Sequence, residues 1–150
     1  MRMLCAFVLL VFIACHSRTA PARRTEAHLV LRSRPGAALY LDRADPGSVM
    51  EAGTDAGHFA CFRIGWVDSA ATTEVEKLRY FQYRVQNDWR ALAAGDTLLP
   101  VFFQERPGLD QRVHEGVMVF ETPAGRQPDT LVYRDSYGSW GKQMIVLNPK

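Results

Sequence analysis

Short apolar segments that alternate with polar residues, each ending at a turn signal, constrain the fold more than any other feature of the chain. In segment 58–67, Phe62, Ile64 and Trp66 stand two residues apart, so they would share one face of a β-strand. No segment of the sequence sustains the 3.6-residue period of a long amphipathic helix. Many short strands separated by Gly, Pro and Asp predict an all-β domain.

Segments with this pattern recur along the chain from Ala27 onward. They are 27–33, 38–41, 58–67, 78–85, 89–93, 97–103, 113–121, 130–133 and 143–147. From these nine candidate segments we predict about seven or eight short antiparallel strands that form an immunoglobulin-like β-sandwich. A closed barrel is the alternative. The sandwich is favoured because Pro100 lacks an amide hydrogen and the loops are uneven, and both features suit sheets with open edges.

Several local features refine this prediction. Pro100 favours a sheet edge or a β-bulge, and Gly116 is a second candidate for a bulge. Residues 94–96 predict a three-residue hairpin loop, and residues 48–52 predict a short helical turn. Three residues in apolar surroundings are predicted to belong to the core, namely Cys61, Trp66 and Trp89.

The first fifteen residues have the composition of an export signal. Arg2 is followed by twelve residues, Met3 to Ala14, that carry no charge. As a helix these residues would extend about 18 Å, which is well short of the ~30 Å core of a bilayer. A permanent membrane span is therefore not expected.

The junction Phe12-Ile13-Ala14-Cys15 resembles the lipobox of bacterial lipoproteins. The resemblance implies cleavage before Cys15 and attachment of lipid to its thiol. Such a protein would sit on a membrane of the cell envelope, at the outer membrane or the periplasmic face rather than in the cytoplasm. An ordinary signal peptide is the alternative, because Ala20-Pro21-Ala22 offers a cleavage site that would release a soluble secreted protein.

The predicted organisation has three parts, which are a signal peptide at 1–14, a lipidated cysteine with its tether at 15–26, and a β-sandwich domain at 27–150. Part of that domain also loosely resembles small β-sandwich lipoproteins of the bacterial envelope. The stretches that carry this resemblance are 83–89, 96–103, 117–121 and 129–133. Those proteins supply no catalytic residues that could be assigned to this chain.

The charge of the domain is close to neutral. Four of the 18 basic residues and one of the 16 acidic residues precede Ala27, which leaves 14 and 15 in the domain. A near-neutral domain with mixed signs argues against nucleic acid as a main partner. Cys61 is the only cysteine in the domain, so an intramolecular disulfide is excluded there and a buried thiol is predicted.

Motifs for catalysis are missing from the sequence. His28, His58 and His114 lie far apart and are predicted to be exposed or half-buried rather than metal ligands. There is no Gly-x-Ser-x-Gly elbow and no glycine-rich phosphate loop. We therefore expect no cofactor, no metal and no enzymatic activity. An enzyme would require a pocket that gathers His58 or His114 with a carboxylate.

The remaining candidates for ligand contact are Tyr137 and Trp140, which share one loop with two glycines. Exposed aromatic side chains can stack on sugar rings or anchor a protein partner, whereas a Trp140 folded over the end of the core would be structural. We expect a lipid-anchored envelope protein that acts as a binding or scaffold subunit with envelope protein partners. The alternative is a module that binds glycan or peptide through Tyr137 and Trp140.

Overall fold

The computed structural model describes residues 30–50, 56–69, 73–123 and 126–147. These residues form two antiparallel sheets. The first contains, in spatial order, β1 (Val30–Arg34), β2 (Ala37–Ala44), β3 (Phe59–Asp68), β7 (Val113–Glu121) and β6 (Pro100–Arg106). The second contains β5 (Asp96–Leu98), β4 (Trp89–Ala93), β8 (Thr130–Arg134) and β9 (Lys142–Val146). The all-β prediction is confirmed, with nine strands in the described part instead of seven or eight.

The core lies between the two sheets and follows the predicted alternation. Phe62, Ile64 and Trp66 of β3 are all buried, as are Leu39 and Leu41 of the neighbouring β2. They belong to one cluster with large side chains of the four-stranded sheet, among them Trp89, Leu131, Tyr133 and Ile145. Trp66, Trp89 and Cys61 are buried as predicted.

Pro100 lies where its missing amide hydrogen is tolerated. It begins β6, the edge strand of the five-stranded sheet, and the register with β7 shifts between Pro100 and Phe102. Both the predicted edge and the predicted bulge are therefore confirmed. The hairpin between β4 and β5 differs from its prediction, because its loop has two residues instead of three. Ala94 and Gly95 both have positive φ, at 52° and 95°, as the tightest hairpin turns require.

Gly116 does not form the predicted bulge. It keeps regular register with Ile64 on one side and Glu105 on the other. A Cβ at this position would overlap the Phe103 ring, so the glycine makes room for an aromatic side chain from the next strand. Gly65 has the same role, because the ring of Tyr40 passes over it. The Tyr40 hydroxyl donates a hydrogen bond to Glu115 Oε2 at 2.6 Å.

The largest error of the sequence prediction concerns segment 78–85, which is helical and not a strand. α2 (Val75–Arg79) continues into one π-helical turn (Tyr80–Arg84) and a 3-10 turn (Val85–Asp88). The alternation of Phe81, Tyr83 and Val85 indicated a strand, but Tyr83 is 69% exposed while the other two are buried. Buried residues four to five apart fit the wide turn of a π-helix.

A second, shorter helix lies near the predicted helical turn. α1 (Pro46–Val49) begins two residues before that prediction, and residues 51 and 52 are outside the described part. Asp45 caps the helix by accepting a hydrogen bond from the Gly47 N–H at 3.3 Å. Among the residues that the structure covers, no helix has the length and apolar character needed to cross a bilayer. The signal segment and Cys15 lie outside the described residues.

Candidate functional site

The loop between β8 and β9 contains both residues predicted to contact a ligand, and the Asp135 carboxylate accepts three of its backbone hydrogen bonds. Asp135 Oδ1 accepts hydrogen bonds from the N–H groups of Tyr137 at 3.2 Å and Gly138 at 2.7 Å, while Oδ2 accepts one from Trp140 at 2.9 Å. A Cβ on Gly138 would press against the same carboxylate at 2.5 Å. The conformation of the loop is therefore built from its own residues.

Tyr137 contacts the helical segment 75–88 and Glu74, the residue directly before that segment. Its ring stacks on Tyr80 with centroids 5.2 Å apart and 20° between the ring planes. Its hydroxyl donates a hydrogen bond to Glu74 Oε1 at 2.7 Å, and this contact raises the pKa of Tyr137. One face of the ring is thus already covered within the protein.

Trp140 is half-buried and packs against the end of the core. The guanidinium carbon of Arg34 lies 4.2 Å from the centre of its ring, at the distance of a cation–π contact. A sugar ring could stack on this face only after displacing Arg34. The structure therefore brings Tyr137 and Trp140 together in one loop, but Tyr80 covers one face of the Tyr137 ring and Arg34 covers one face of the Trp140 ring.

A small cavity of about 160 Å³ lies beneath this loop. Its walls include Trp66, Tyr80 and Tyr133, and its charged residues are two cations and two carboxylates. They are Arg34, Lys77, Asp68 and Asp135. Lys77 Nζ and Asp68 Oδ2 form an ion pair at 2.6 Å. The cavity is smaller than the roughly 300 Å³ at which ordinary ligand sites begin, and its charges balance.

A hydrogen-bond network that the sequence analysis missed ties this corner together. Asp88 Oδ2 accepts hydrogen bonds from the Tyr80 hydroxyl at 2.7 Å, the Ser136 N–H at 2.8 Å and the Ser136 hydroxyl at 2.7 Å. The hydroxyls of Tyr80 and Tyr133 lie 3.2 Å apart in the interior. Burial raises the pKa of both tyrosines, so both remain protonated donors.

His114 differs from its prediction, because it is 5% exposed and so belongs to the interior. Its ring stacks on Phe81 with centroids 4.0 Å apart, and its Nδ1 lies 3.8 Å from Glu105 Oε1. Burial lowers the pKa of the imidazole, which keeps it neutral at physiological pH. The sequence could not show this, because the alternation of β7 does not reveal that a helical segment covers its end.

Within the described residues, a shallow depression of about 430 Å³ meets the requirement set for an enzyme, which is a histidine and a carboxylate lining one pocket. His58, which is exposed, lines it together with Glu121, Thr122, Leu99 and Val101. The depression is open to solvent, whereas acid–base catalysis gains most from a site that excludes water. In the described ranges no group of three or more His, Cys, Asp or Glu residues could hold a metal ion.

An exposed apolar patch is the second feature that the sequence analysis missed. We call Leu99, Val101 and Phe102 the edge patch; their side chains are 58%, 55% and 45% exposed. They lie at the start of edge strand β6, where the bulge interrupts regular pairing with β7. In a strand, two-residue alternation places every second apolar residue in the core. It therefore does not predict that Leu99, Val101 and Phe102 are all exposed.

The outer face of the four-stranded sheet is the third feature that the sequence analysis missed. We call it the basic sheet face, and it carries cations together with exposed or half-buried apolar side chains. They are Arg90, Arg134, Lys142, Leu92, Val132, Met144 and Val146. A depression of about 490 Å³ runs across most of this face.

Comparisons with known proteins add no assignment to these surfaces. No family model matches the sequence, and neither a curated protein nor a solved structure is similar enough to count as a relative.

Proposed function

We propose that this chain is a lipid-anchored protein of the bacterial cell envelope and that its immunoglobulin-like β-sandwich is a non-catalytic binding or scaffold subunit. The proposed anchor rests on the uncharged segment Met3–Ala14 and on Cys15 directly after it. Two sheets that share one core support the proposed sandwich. The binding role depends on one structural observation, the edge patch.

The edge patch has the character of a protein-binding surface. Three apolar side chains that follow closely in sequence are about half exposed at the edge of a sheet, where a partner can add contacts to unpaired backbone. Burying a Val, Leu or Phe side chain is worth about 1.5–3 kcal/mol each. The occupant we propose is an envelope protein that covers the start of β6 with an apolar surface of its own.

The glycan-binding alternative has less support from the geometry. Tyr137 is stacked on Tyr80, and Trp140 lies under Arg34. The cavity beside them is too small for an ordinary ligand site and is already charge-balanced. The binding role is therefore assigned to the edge patch.

Changing Cys15→Ser tests the anchor. Lipid is attached through sulfur, so we expect complete loss of radioactive fatty-acid incorporation and of the processed form. The protein is then expected to leave the lipoprotein fraction of the membranes. Cys61→Ser is the matched control, because Cys61 is the buried thiol of the domain. Unchanged labelling and processing of the Cys15→Ser variant would contradict the anchor and favour cleavage at Ala20-Pro21-Ala22.

A photo-crosslinking amino acid at position 102 tests the binding role. In intact cells we expect one discrete adduct, which disappears when Val101→Glu places a charge in the patch. The same crosslinker at position 83 is the control, because Tyr83 is exposed but belongs to the helical segment. Only monomer at both positions, with the protein correctly localised, would count against a binding subunit.

A further inference from the structure

We propose that the basic sheet face is a membrane-contacting surface that rests on anionic phospholipid head groups. This inference rests on the proposed membrane attachment through Cys15, and it adds a second, electrostatic contact made by the folded domain. It concerns the outer face of the four-stranded sheet and does not involve the edge patch.

The register of the strands places the participating side chains together. Arg90 pairs with Val132, Val132 pairs with Met144, and Arg134 pairs with Lys142. Arg90 therefore shares a row with Val132 and Met144, and Arg134 and Lys142 form the next row, so the three cations cluster toward one end of the face. Met144 is 56% exposed and Val146 is 53% exposed, although both belong to a regular strand.

Two of the three cations of this face are not explained by the stability of the fold, whereas Arg90 donates hydrogen bonds to the backbone oxygens of Asn87 and Trp89. Arg134 and Lys142 are both exposed and stand directly opposite each other, and like charges in that position destabilise a sheet. Asp88 is the carboxylate that lines the same depression, and its Oδ2 accepts hydrogen bonds from Tyr80 and Ser136. An excess of positive charge therefore faces outward, and it calls for an anionic surface.

The apolar side chains favour a bilayer over an acidic protein. Met144, Val146 and Leu92 are aliphatic and lie on the same sheet face as the three cations. Aliphatic groups beside cations suit the boundary of head groups and acyl chains. Residues 16–29, even fully extended, would keep the start of β1 within about 50 Å of a lipid on Cys15.

The test uses the full-length chain, purified with detergent and reconstituted on phosphatidylcholine vesicles with or without phosphatidylglycerol. Met144→Trp introduces a reporter at the face, and brominated lipid quenches a tryptophan that touches the bilayer. We expect quenching on anionic vesicles at low salt, and little on neutral vesicles or in high salt. Leu109→Trp is the control, because this fully exposed residue lies in the loop between β6 and β7. The parent chain gives the background from Trp66, Trp89 and Trp140.

Neutralising two cations tests the electrostatic part. Each cation near an anionic surface is worth about a five-fold change in equilibrium constant. We therefore expect Arg134→Gln with Lys142→Gln to shift the equilibrium away from membrane contact by about thirty-fold and to abolish the quenching at position 144. The Tm should stay the same or rise, because a like-charge pair is removed. Arg32→Gln with Arg43→Gln, two exposed arginines of the other sheet, should leave the quenching unchanged.

The outcomes separate this proposal from the anchor. Flotation of the parent chain with both vesicle types supports attachment through the lipid, and quenching at position 144 alone supports the sheet face. A chain that floats but shows equal quenching at positions 144 and 109 overturns the sheet face only. The sheet face is also overturned if Arg134→Gln with Lys142→Gln and Arg32→Gln with Arg43→Gln lose the same amount of quenching at position 144. The attraction would then depend on the overall charge of the chain. A chain that floats with neither vesicle type contradicts both proposals.

Discussion

Trp89→Ala is expected to lower the free energy of unfolding by about 3–5 kcal/mol, the usual cost of truncating a buried aromatic residue to alanine. Trp89 is completely buried, its ring stacks on Tyr133 with centroids 4.6 Å apart, and it meets the edge of Trp66 at 6.3 Å. Its loss would leave a large cavity between the two sheets. Because domains of this size are stable by only about 5–15 kcal/mol, the variant should unfold at much lower urea concentration.

The measurement is urea unfolding followed by far-ultraviolet circular dichroism, which does not depend on the lost indole. Trp89→Phe separates volume from polarity: it keeps most of the ring and removes an indole N–H that is buried without a hydrogen-bond partner. We expect it to cost much less than the alanine variant. Tyr83→Ala is the exposed control and should change stability by less than about 0.5 kcal/mol. A loss below about 1 kcal/mol in Trp89→Ala would contradict the core described above.

Asp88→Ala is the second large effect, with an expected loss of about 2–3 kcal/mol. The substitution removes one acceptor from three donors, and hydrogen bonds to a charged group are each worth about 1.5–3 kcal/mol when buried. Two of the three donors belong to Ser136, which is exposed, so the contributions do not add in full. Tyr80 is only 2% exposed. In the variant its hydroxyl would lose the hydrogen bond to Asp88 and keep the contact with the Tyr133 hydroxyl.

A double-mutant cycle identifies which contact matters. Tyr80→Phe removes the buried hydrogen bond to Asp88, and Ser136→Ala removes one of the two exposed contacts. We expect strong coupling between positions 88 and 80 and weak coupling between 88 and 136. Hydrogen exchange should rise in residues 136–141 of the Asp88→Ala variant, because Asp88 ties that loop to the helical segment. Unchanged exchange there would show that Asp135 alone fixes the loop.

The strand prediction succeeded where a strand has one buried face. In β7 and β8 the buried side chains alternate with partly exposed ones along much of each strand, so period two was visible in the sequence. In β3, which is buried on both faces along most of its length, the large apolar residues Phe62, Ile64 and Trp66 still stand two residues apart. It failed in segment 78–85, because the spacing of Tyr80, Phe81, Tyr83 and Val85 fits both the two-residue period of a strand and the period of a helix. Only their neighbours in the fold decide between the two. The predicted hairpin loop, 94–96, was one residue too long. The sequence does not show whether Asp96 belongs to the loop or to the following strand, and in the structure it begins β5.

For the candidate site, too, the sequence predicted some residues and missed others. Tyr137 and Trp140 were identified as neighbours in one loop, but their partners Tyr80, Glu74 and Arg34 come from distant parts of the chain. The edge patch and the basic sheet face were missed because alternation marks the buried side of a strand and leaves the opposite side undescribed. Which exposed residues meet across strands depends on register, and register is a property of the assembled sheet.

By itself, the sequence determined the all-β class, the core positions of Trp66 and Trp89, and the edge position of Pro100. These follow from local chemistry, namely two-residue periodicity, apolar runs and a missing amide hydrogen. The proposed anchor at Cys15 also rests on sequence alone. Only the tertiary structure decided that segment 75–88 is helical, that His114 is buried, and that Arg134 and Lys142 face each other. These outcomes depend on contacts between residues far apart in the chain, which no local pattern records.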